Sequence, residues 1–464
     1  MKKRAHFSHG RADYLYAGAL AITVLAAAAV LWASLPHRAI GVILDISRQV
    51  KVSLGLGMTF LALGVIAWRV WMARCYRAYQ CVDDNALPAI TVVIPAYNEG
   101  SQVLSTVRSI MASSYPASKM QVICIDDGSL DDTWLWMLQA RREFPGRLRL
   151  IRQPRNRGKR QALLAGFRDA DGSVYVTIDS DSEVLPQTLR HLVSPFVSDP
   201  RVGAVAGNIR VLNESGGAIP KMMEVSFTMA FDFTRAGQSV YGGVFCTPGA
   251  LSAYRASVVN EHLPAWAEQT FMGVPATIGE DRALTNCVLG CGYRVVYQRE
   301  AVVFTTVPCN FQGLRRMMVR WARSNVRESL VMATFIFRRF RRGDSGGGLV
   351  CLFGTLELLR MVVCEALKAG LLLHLFSHPL ATLHAMTVTG LLASAIPALV
   401  YHVRYGGWLG WRWAIPYSFF WMFGLSWISF WGLLSASRSG WLTRGLHRAP
   451  ASHALPAARQ IGTV

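Results

Sequence analysis

Charge is scarce in this chain. Asp, Glu, Lys and Arg make up 16% of its 464 residues, where an ordinary soluble domain carries about 25%. With 52% hydrophobic residues and a mean hydropathy of +0.28, that shortage argues against a wholly soluble protein and points to membrane segments joined to a soluble part. Also missing is any Cys-x-x-Cys pair. The nine cysteines (75, 81, 124, 246, 287, 291, 309, 351 and 364) are scattered and odd in number. That pattern argues against a disulfide framework or a zinc site and for reduced thiols facing the cytosol. No internal repeat or low-complexity tract is present, which excludes a repeat array. Acidic residues are the scarcer charge, 28 against 48 basic, for a net +20. Such an excess suits nucleic acid, anionic lipid or an anionic substrate. Nucleic acid is the weakest of these, because the arginines cluster beside apolar segments. "RRFRR" at 338–342 reads as a cytoplasmic membrane anchor, so membrane lipid is an expected partner and nucleic acid is not.

Residues 14–35, "YLYAGALAITVLAAAAVLWASL", form an uncharged apolar run long enough to span a bilayer. A cleaved signal peptide is the competing reading, and the run is too long for a typical signal core. A second span, about 53–72, ends among Arg69, Arg74 and Arg77, and Lys2, Lys3, Arg4 and Arg11 precede the first. Basic outer flanks place both ends of this 1–80 region in the cytosol, as in a multi-pass protein of the inner (plasma) membrane whose soluble part is cytosolic. From 85 to 312, strand-like runs such as "AITVVIPAY", "MQVICIDDGS" and "SVYVTIDSD" alternate with helix-like stretches. That alternation predicts an α/β domain around a mainly parallel sheet. Residues 313–342 read as an amphipathic helix on the membrane surface. Leu314, Met317, Met318 and Trp321 recur at helical spacing, with Arg315, Arg316, Arg320, Arg323 and Arg327 at other positions. "RRGDSGGG" (341–348) reads as a flexible joint. The C-terminal membrane region, 347–438, holds apolar segments at about 348–376, 379–402 and 413–436, before a tail at 439–464. The first segment contains Glu357, Arg360, Glu365 and Lys368. These are costly in lipid, so either they line a polar path or the segment is not a simple span.

In the soluble part, carboxylates recur where strands end. "VVIPAYNEG" (92–100) delivers Asn98 and Glu99, "VICIDDGS" (122–129) delivers Asp126 and Asp127, and "VTIDSDS" (176–182) delivers Asp179 and Asp181. Parallel α/β sheets bind ligands outside the carboxyl ends of their strands. Asp and Asn start turns for purely local reasons, but turn chemistry does not explain acidity repeated at three strand ends. Oxygen ligands with few Cys or His candidates suit Mg2+ or Mn2+, and such an ion would neutralise a diphosphate leaving group. "NRGKRQALLAG" (156–166) carries Arg157, Lys159 and Arg160 into a helix start, where positive charge can hold phosphate or simply form a solvated face. "GEDRALTN" (279–286) offers Glu280 and Asp281, and "RMMVRWARS" (316–324) sets Arg320 beside Trp321. A Trp can stack a sugar while an Arg holds a phosphate; alone, Trp321 also fits a membrane-interface belt.

The series PAYNE, DDGS, GKR, DSD, GEDR and RW, in that order, resembles the processive family-2 glycosyltransferases. It is most similar to the branch of hyaluronan synthases and nodulation chitooligosaccharide synthases. The resemblance covers about 90–330. It implies a GT-A fold inserted between N- and C-terminal transmembrane helices, inverting transfer from a UDP-sugar donor to a growing glycan acceptor, and a divalent metal. Carried over residue by residue, Ala96, Tyr97, Glu99 and Asp127 would hold uridine and Lys159 would contact the donor. Asp179 and Asp181 would form the metal-binding element, with Asp179 also on the donor. Asp281 would be the base that deprotonates the acceptor hydroxyl, and Arg320 would meet the diphosphate. Cys246 and Pro248 in "FCTPGALSAYR" (245–255), with Glu280 and Trp321, would face the acceptor. "SGWLTRG" (439–445) resembles the family's gating segment, so that Trp441 and Arg444 would cap the donor.

Two positions depart from the pattern. Met317 stands where the family has Gln before its Arg-Trp, and Leu442 replaces a Gly; a thioether cannot donate an amide's hydrogen bonds. Three full C-terminal spans would put Trp441 outside, against the arginines at 438, 444 and 448. The expectation is a polymerase of a hyaluronan- or chitin-like glycan. The alternatives are a transferase adding one sugar to a lipid, a poly-N-acetylglucosamine synthase, or an inert scaffold, against which the intact Asp179, Asp181 and Asp281 argue.

Overall fold

In a computed structural model the described residues are 60, 63–338, 341, 344, 346–406 and 408–438. The expected first span and the tail with Trp441 and Arg444 lie outside them, as does the start of the second span. A helix over 63–75, α1, leads into the sheet domain.

Eight strands form one mixed sheet in the order β3-β2-β1-β4-β7-β6-β10-β5. Strands β1 (Ile90–Ala96), β2 (Met120–Asp126), β3 (Leu148–Arg152) and β4 (Val174–Ile178) are mutually parallel. Between them run α2 (Gln102–Met111), α3 (Thr133–Glu143) and α4 (Lys159–Arg168). Strand β1, ITVVIPA, is buried at every position, as expected of an apolar run covered by helices on both faces. The chain winds outward from β1 to β3 and then crosses to β4 on the other side of β1. That reversal is a topological switch point, and it opens a crevice beyond the carboxyl ends of β1 and β4.

The second half is antiparallel where it joins. After β5 (Ser182–Val184) and α5 (Thr188–Ser198) come β6 (Val202–Val211), α6 (Ala218–Phe227), a wide helical turn at Thr228–Phe233, and α7 (Thr234–Val240). Strand β7 (Leu251–Arg255) pairs antiparallel with both β4 and β6. Helix α8 (Ala256–Ala267), the two-stranded β8 (Thr270–Phe271) and β9 (Val274–Pro275), and α9 (Glu280–Gly290) precede β10 (Arg294–Thr305).

Helix α10 (Phe311–Ala333) carries the Arg-Trp motif. It is wedged against the sheet domain rather than lying free. Leu314, Met317, Met318 and Val319 join the main core, and Arg323 and Arg327 are buried with them. The arginines set apart from the apolar stripe by periodicity thus split, two of them turning inward. Met317 packs in that core, where a thioether costs nothing and an amide would need partners.

Helices α11 (Gly346–Ser377) and α12 (Pro379–Tyr405) are long and apolar enough to cross a membrane. At 32 and 27 residues they reach about 48 and 40 Å, against a hydrocarbon core of about 30 Å. They form a hairpin. Its open end is held to the sheet domain. Arg341, just before α11, donates to the carbonyls of Tyr241 and Gly242, and Arg404 pairs with Asp232 at 3.2 Å. The joint at 341–348 is therefore anchored at Arg341. The charges inside α11 are paired: Glu357 with Arg69 at 3.1 Å and Arg360 at 2.8 Å, Glu365 with Lys368 at 2.8 Å.

The last apolar segment is broken. Helix α13 (Leu409–Phe419), a wide turn at Phe420–Leu425 and α14 (Trp427–Leu434) bend by 40°. From Phe420 onward this segment runs beside α10 in the same direction. Phe420 meets Phe311 with ring centroids 6.1 Å apart, Gly432 lies against Ala322, and Arg323 Nε donates to Ser435 Oγ at 3.0 Å.

Candidate active site

The crevice at the switch point collects the acidic strand ends. Ala96 closes β1, and its carbonyl accepts from Asp127 N at 2.8 Å. Tyr97 and Glu99 follow on the loop, with Glu99 N donating to Thr133 Oγ1 at 2.8 Å. Asn98 adopts a positive φ of 52°, and its side-chain oxygen accepts from Leu130 N at 2.8 Å. Asp127 is buried, and its two oxygens accept the N–H groups of Arg157 and Gly158 at 2.9 and 2.8 Å. It thereby ties down the turn that launches Lys159 from the first position of α4. Gly158 is needed there, because its φ of 89° is one that side chains rarely adopt.

Asp179 and Asp181 leave β4 on a short loop fixed from three sides. Thr106 Oγ1 donates to the Ser180 carbonyl at 2.8 Å, Ser182 is wholly buried against Thr305 at 2.9 Å, and both hydroxyls reach Asp181 Oδ1 at 3.3 Å. Glu183 accepts from Gln102 Nε2 at 3.2 Å. Both metal candidates offer only oxygen. Among the described residues no three His, Cys, Asp or Glu side chains close round one point. A cation here would take two carboxylates from the protein and complete its shell from a diphosphate and water, a donor set that fits Mg2+ or Mn2+.

Across the crevice stands the start of α9. Lys159 Nζ donates to Asp179 Oδ1 and lies 3.2 Å from Glu280 Oε1. Gly249 N donates to Asp281 Oδ2 at 3.2 Å, and Asp281 Oδ1 accepts from Arg282 N at 2.7 Å. Burial opposes the charge on Lys159, but Asp179 and Glu280 outweigh it and hold its pKa above the ordinary value. Burial also pushes Glu280 up, yet Lys159 and the helix-end N–H bring it below the usual carboxylate range. Asp281 goes the other way. Burial, then the Glu280 charge, raise its pKa to about 6 against the pull of Lys159. The pair at one helix start is thus split into an anion and a proton acceptor poised near neutrality.

Of the expected acceptor-side residues, Glu280 is the one paired with Lys159, and Cys246 and Pro248 lie on the loop just before Gly249. The Cys246 carbonyl accepts from Arg235 Nε at 2.9 Å, and Arg235 lies over Phe231 at 4.2 Å. Trp321, half-exposed, sits 6.3 and 6.4 Å from the rings of Phe227 and Phe231. Burial first, then the Asp281 charge, push the Cys246 thiol up to about 11, so it stays protonated at neutral pH and is no nucleophile. The Pro248 carbonyl accepts from Leu251 N and Ser252 Oγ, which shapes the loop that presents Gly249.

Arg320 feels Glu280 and belongs to this neighbourhood. Arg160, a phosphate candidate by sequence, turns away and donates to the Trp266 carbonyl and Gln269 Oε1 at 2.6 and 2.8 Å. Gly249, Thr305, Gln269 and Glu328 were not singled out by sequence. Gly249 lay within a quoted motif, but nothing local signals that Lys159 packs on it.

A mainly parallel sheet with an acidic loop at its switch point and a helix-borne carboxylate pair facing that loop is the arrangement of a GT-A glycosyltransferase fold. The chain belongs to the family described as "Glycosyltransferase like family 2", which matches residues 88–324. It is 33% identical over 255 residues to an N-acetylglucosaminyltransferase of Rhizobium meliloti (strain 1021), covering 55% of this chain and 59% of the relative. It is 34% identical over 247 residues to a hyaluronan synthase of Streptococcus pyogenes, covering 52% and 58%. The match thus spans less than two thirds of either relative's length. A mannosyltransferase of Pyrobaculum calidifontis, solved with GDP-Man and Mn2+, shares the fold with a TM-score of 0.56 at 20% identity, over 80% of this chain and 96% of that one.

Proposed function

We propose that the protein is a membrane-embedded, inverting and processive synthase. It extends a β-linked, N-acetylhexosamine-containing glycan from a UDP-sugar on the cytosolic face and passes the product through its own helices. The observation that carries this reading is the meeting of Lys159, Asp179, Gly249, Glu280 and Asp281 at one point of the switch-point crevice.

In this mechanism Ala96, Tyr97, Glu99 and Asp127 receive the uridine, and Asp127 also fixes the Lys159 turn. Lys159 and Arg320 offer positive charge to the diphosphate. Asp179 and Asp181 would hold the divalent cation, which when bound supplies charge neutralisation to the departing diphosphate. Asp281 takes the proton from the acceptor hydroxyl, and a carboxyl pKa near 6 matches a base working near neutral pH. The Gly249 N–H keeps Asp281 aimed, while Glu280, Trp321, Cys246 and Pro248 shape the acceptor side. Trp441 and Arg444, outside the described residues, are proposed to close over the donor.

The relatives' names, an N-acetylglucosaminyltransferase and a hyaluronan synthase, support an N-acetylhexosamine donor and a glycan product. The test is purified protein in nanodiscs offered each UDP-sugar singly and in pairs, with and without EDTA. A polymer from UDP-N-acetylglucosamine, alone or with a second UDP-sugar, is the expected product. A single sugar on lipid would replace the processive reading, and full turnover in EDTA would remove the metal from it.

A further inference from the structure

Lys159 is a buried cation shared between two carboxylates. Its side chain enters from the first turn of α4, and its Nζ donates to Asp179 Oδ1 and stands 3.2 Å from Glu280 Oε1. Lys159 and Glu280 are 8% and 6% exposed. The remaining wall is Gly249. A methyl group there would stand 2.6 Å from Nζ and 3.7 Å from Asp179 Oδ2. The absence of a side chain at 249 is therefore what lets the ammonium reach Asp179.

An ammonium and a divalent cation on one carboxylate are competitors. They repel at contact, and in a site of reduced dielectric that repulsion is strong. A nucleoside diphosphate changes the balance, because its oxygens give the ammonium new acceptors and its charge offsets the metal. Lys159 need not leave the site to make this exchange. The ion pair with Glu280 keeps the side chain in place while the hydrogen bond to Asp179 is released to one of the diphosphate oxygens. Glu280 is the pivot and Asp179 the contact that is exchanged.

We propose that Lys159 guards Asp179. It keeps a bare divalent cation from binding and yields the carboxylate only to a cation that arrives with a nucleoside diphosphate. The proposal rests on the reading of Asp179 and Asp181 as metal ligands, and it makes metal and nucleotide binding cooperative. That coupling must be reciprocal.

The test is Mn2+ uptake by the full chain in nanodiscs, followed by the loss of the free-ion electron paramagnetic resonance signal, with and without UDP. Wild type is expected to bind Mn2+ at least tenfold more tightly with saturating UDP than without it. Lys159→Met should bind Mn2+ without UDP at least tenfold more tightly than wild type. Gly249→Ala reaches the same end without removing a charge, since its methyl displaces Nζ from Asp179, and it decides the matter if Lys159→Met does not fold. Asp181→Asn should abolish uptake in every background. Equal Mn2+ affinity in wild type with and without UDP would overturn the guard and leave the metal site standing. So would an unchanged or weaker nucleotide-free affinity in both variants. No uptake under any condition would remove the metal reading of Asp179 and Asp181, and the guard with it.

Discussion

Burial, with the Glu280 and Asp179 charges adding to it and Lys159 opposing, raises the Asp281 carboxyl from 3.8 to about 6. A proton bound more tightly in the fold than in the unfolded chain means that ionisation costs stability as pH rises from 3.8 through about 6. The same rise creates the anion that a base must be. Turnover should therefore climb along an acid limb centred near pH 6, while the unfolding temperature falls slightly across that window. Asp281→Asn should lose about 10²–10⁴-fold in turnover, the usual worth of a positioned base. It should keep UDP binding and lack the acid limb. Initial rates from about pH 5 to 8, with calorimetry of UDP binding, measure all three. An Asn variant with an intact limb would assign the proton to another group. Met317 belongs to the same scale. Its departure from the family's Gln is a packing matter, since the side chain lies in the core beside Met318 and Val319.

At the scale of elements, α10 is held by charge as much as by apolar packing. Glu328 is wholly buried and accepts from Gln269 Nε2 at 3.0 Å, Asn286 Nδ2 at 3.1 Å and Arg327 Nε at 3.1 Å. These partners come from the segment after α8, from α9 and from α10 itself, so one carboxylate ties the Arg-Trp helix to the helix that bears Asp281. Removing it leaves Arg327 buried with its charge uncompensated, which costs about 3–5 kcal/mol. Glu328→Ala should therefore lower the unfolding midpoint in detergent sharply, and Arg327→Met with Glu328→Leu should recover most of it. A midpoint unchanged in Glu328→Ala would show that the network is idle. None of this was legible in the sequence. Strands β1, β2 and β4 were, because an apolar run ending in acids links a local pattern to the switch-point crevice by a general rule. The network has no period, since Arg160, Gln269, Asn286 and Glu328 are far apart in the chain. Arg323 and Arg327 look like an outer face until Ser435 and the Ile278 carbonyl arrive as partners.

For the molecule as a whole, apolar content alone could not tell a crossing helix from one laid along another. The segment from Phe420 to Ser435 keeps company with α10 along its length, and α10 is packed on the sheet domain. With α11 and α12 as a hairpin, the chain returns to the domain side at Arg404 and has no need to cross again. This arrangement would place Arg438 on the cytosolic side, where arginines prefer to be. A Ser437→Cys variant without other reactive thiols should resist a membrane-impermeant maleimide in intact spheroplasts and react once the membrane is opened; labelling in intact spheroplasts would require a third crossing. The Arg404 contact also bears on the order of manufacture. Asp232, 1% exposed, is shared by Arg299 at 3.0 Å and Arg404 at 3.2 Å, and it sits in the wide turn that carries Phe231 toward Arg235 and Trp321. Asp232 and Arg299 leave the ribosome well before Arg404 does. Before the α11–α12 hairpin is made, Asp232 would face Arg299 without Arg404, so under the proposed synthase reading the turn that carries Phe231 would be completed only once the hairpin is in place.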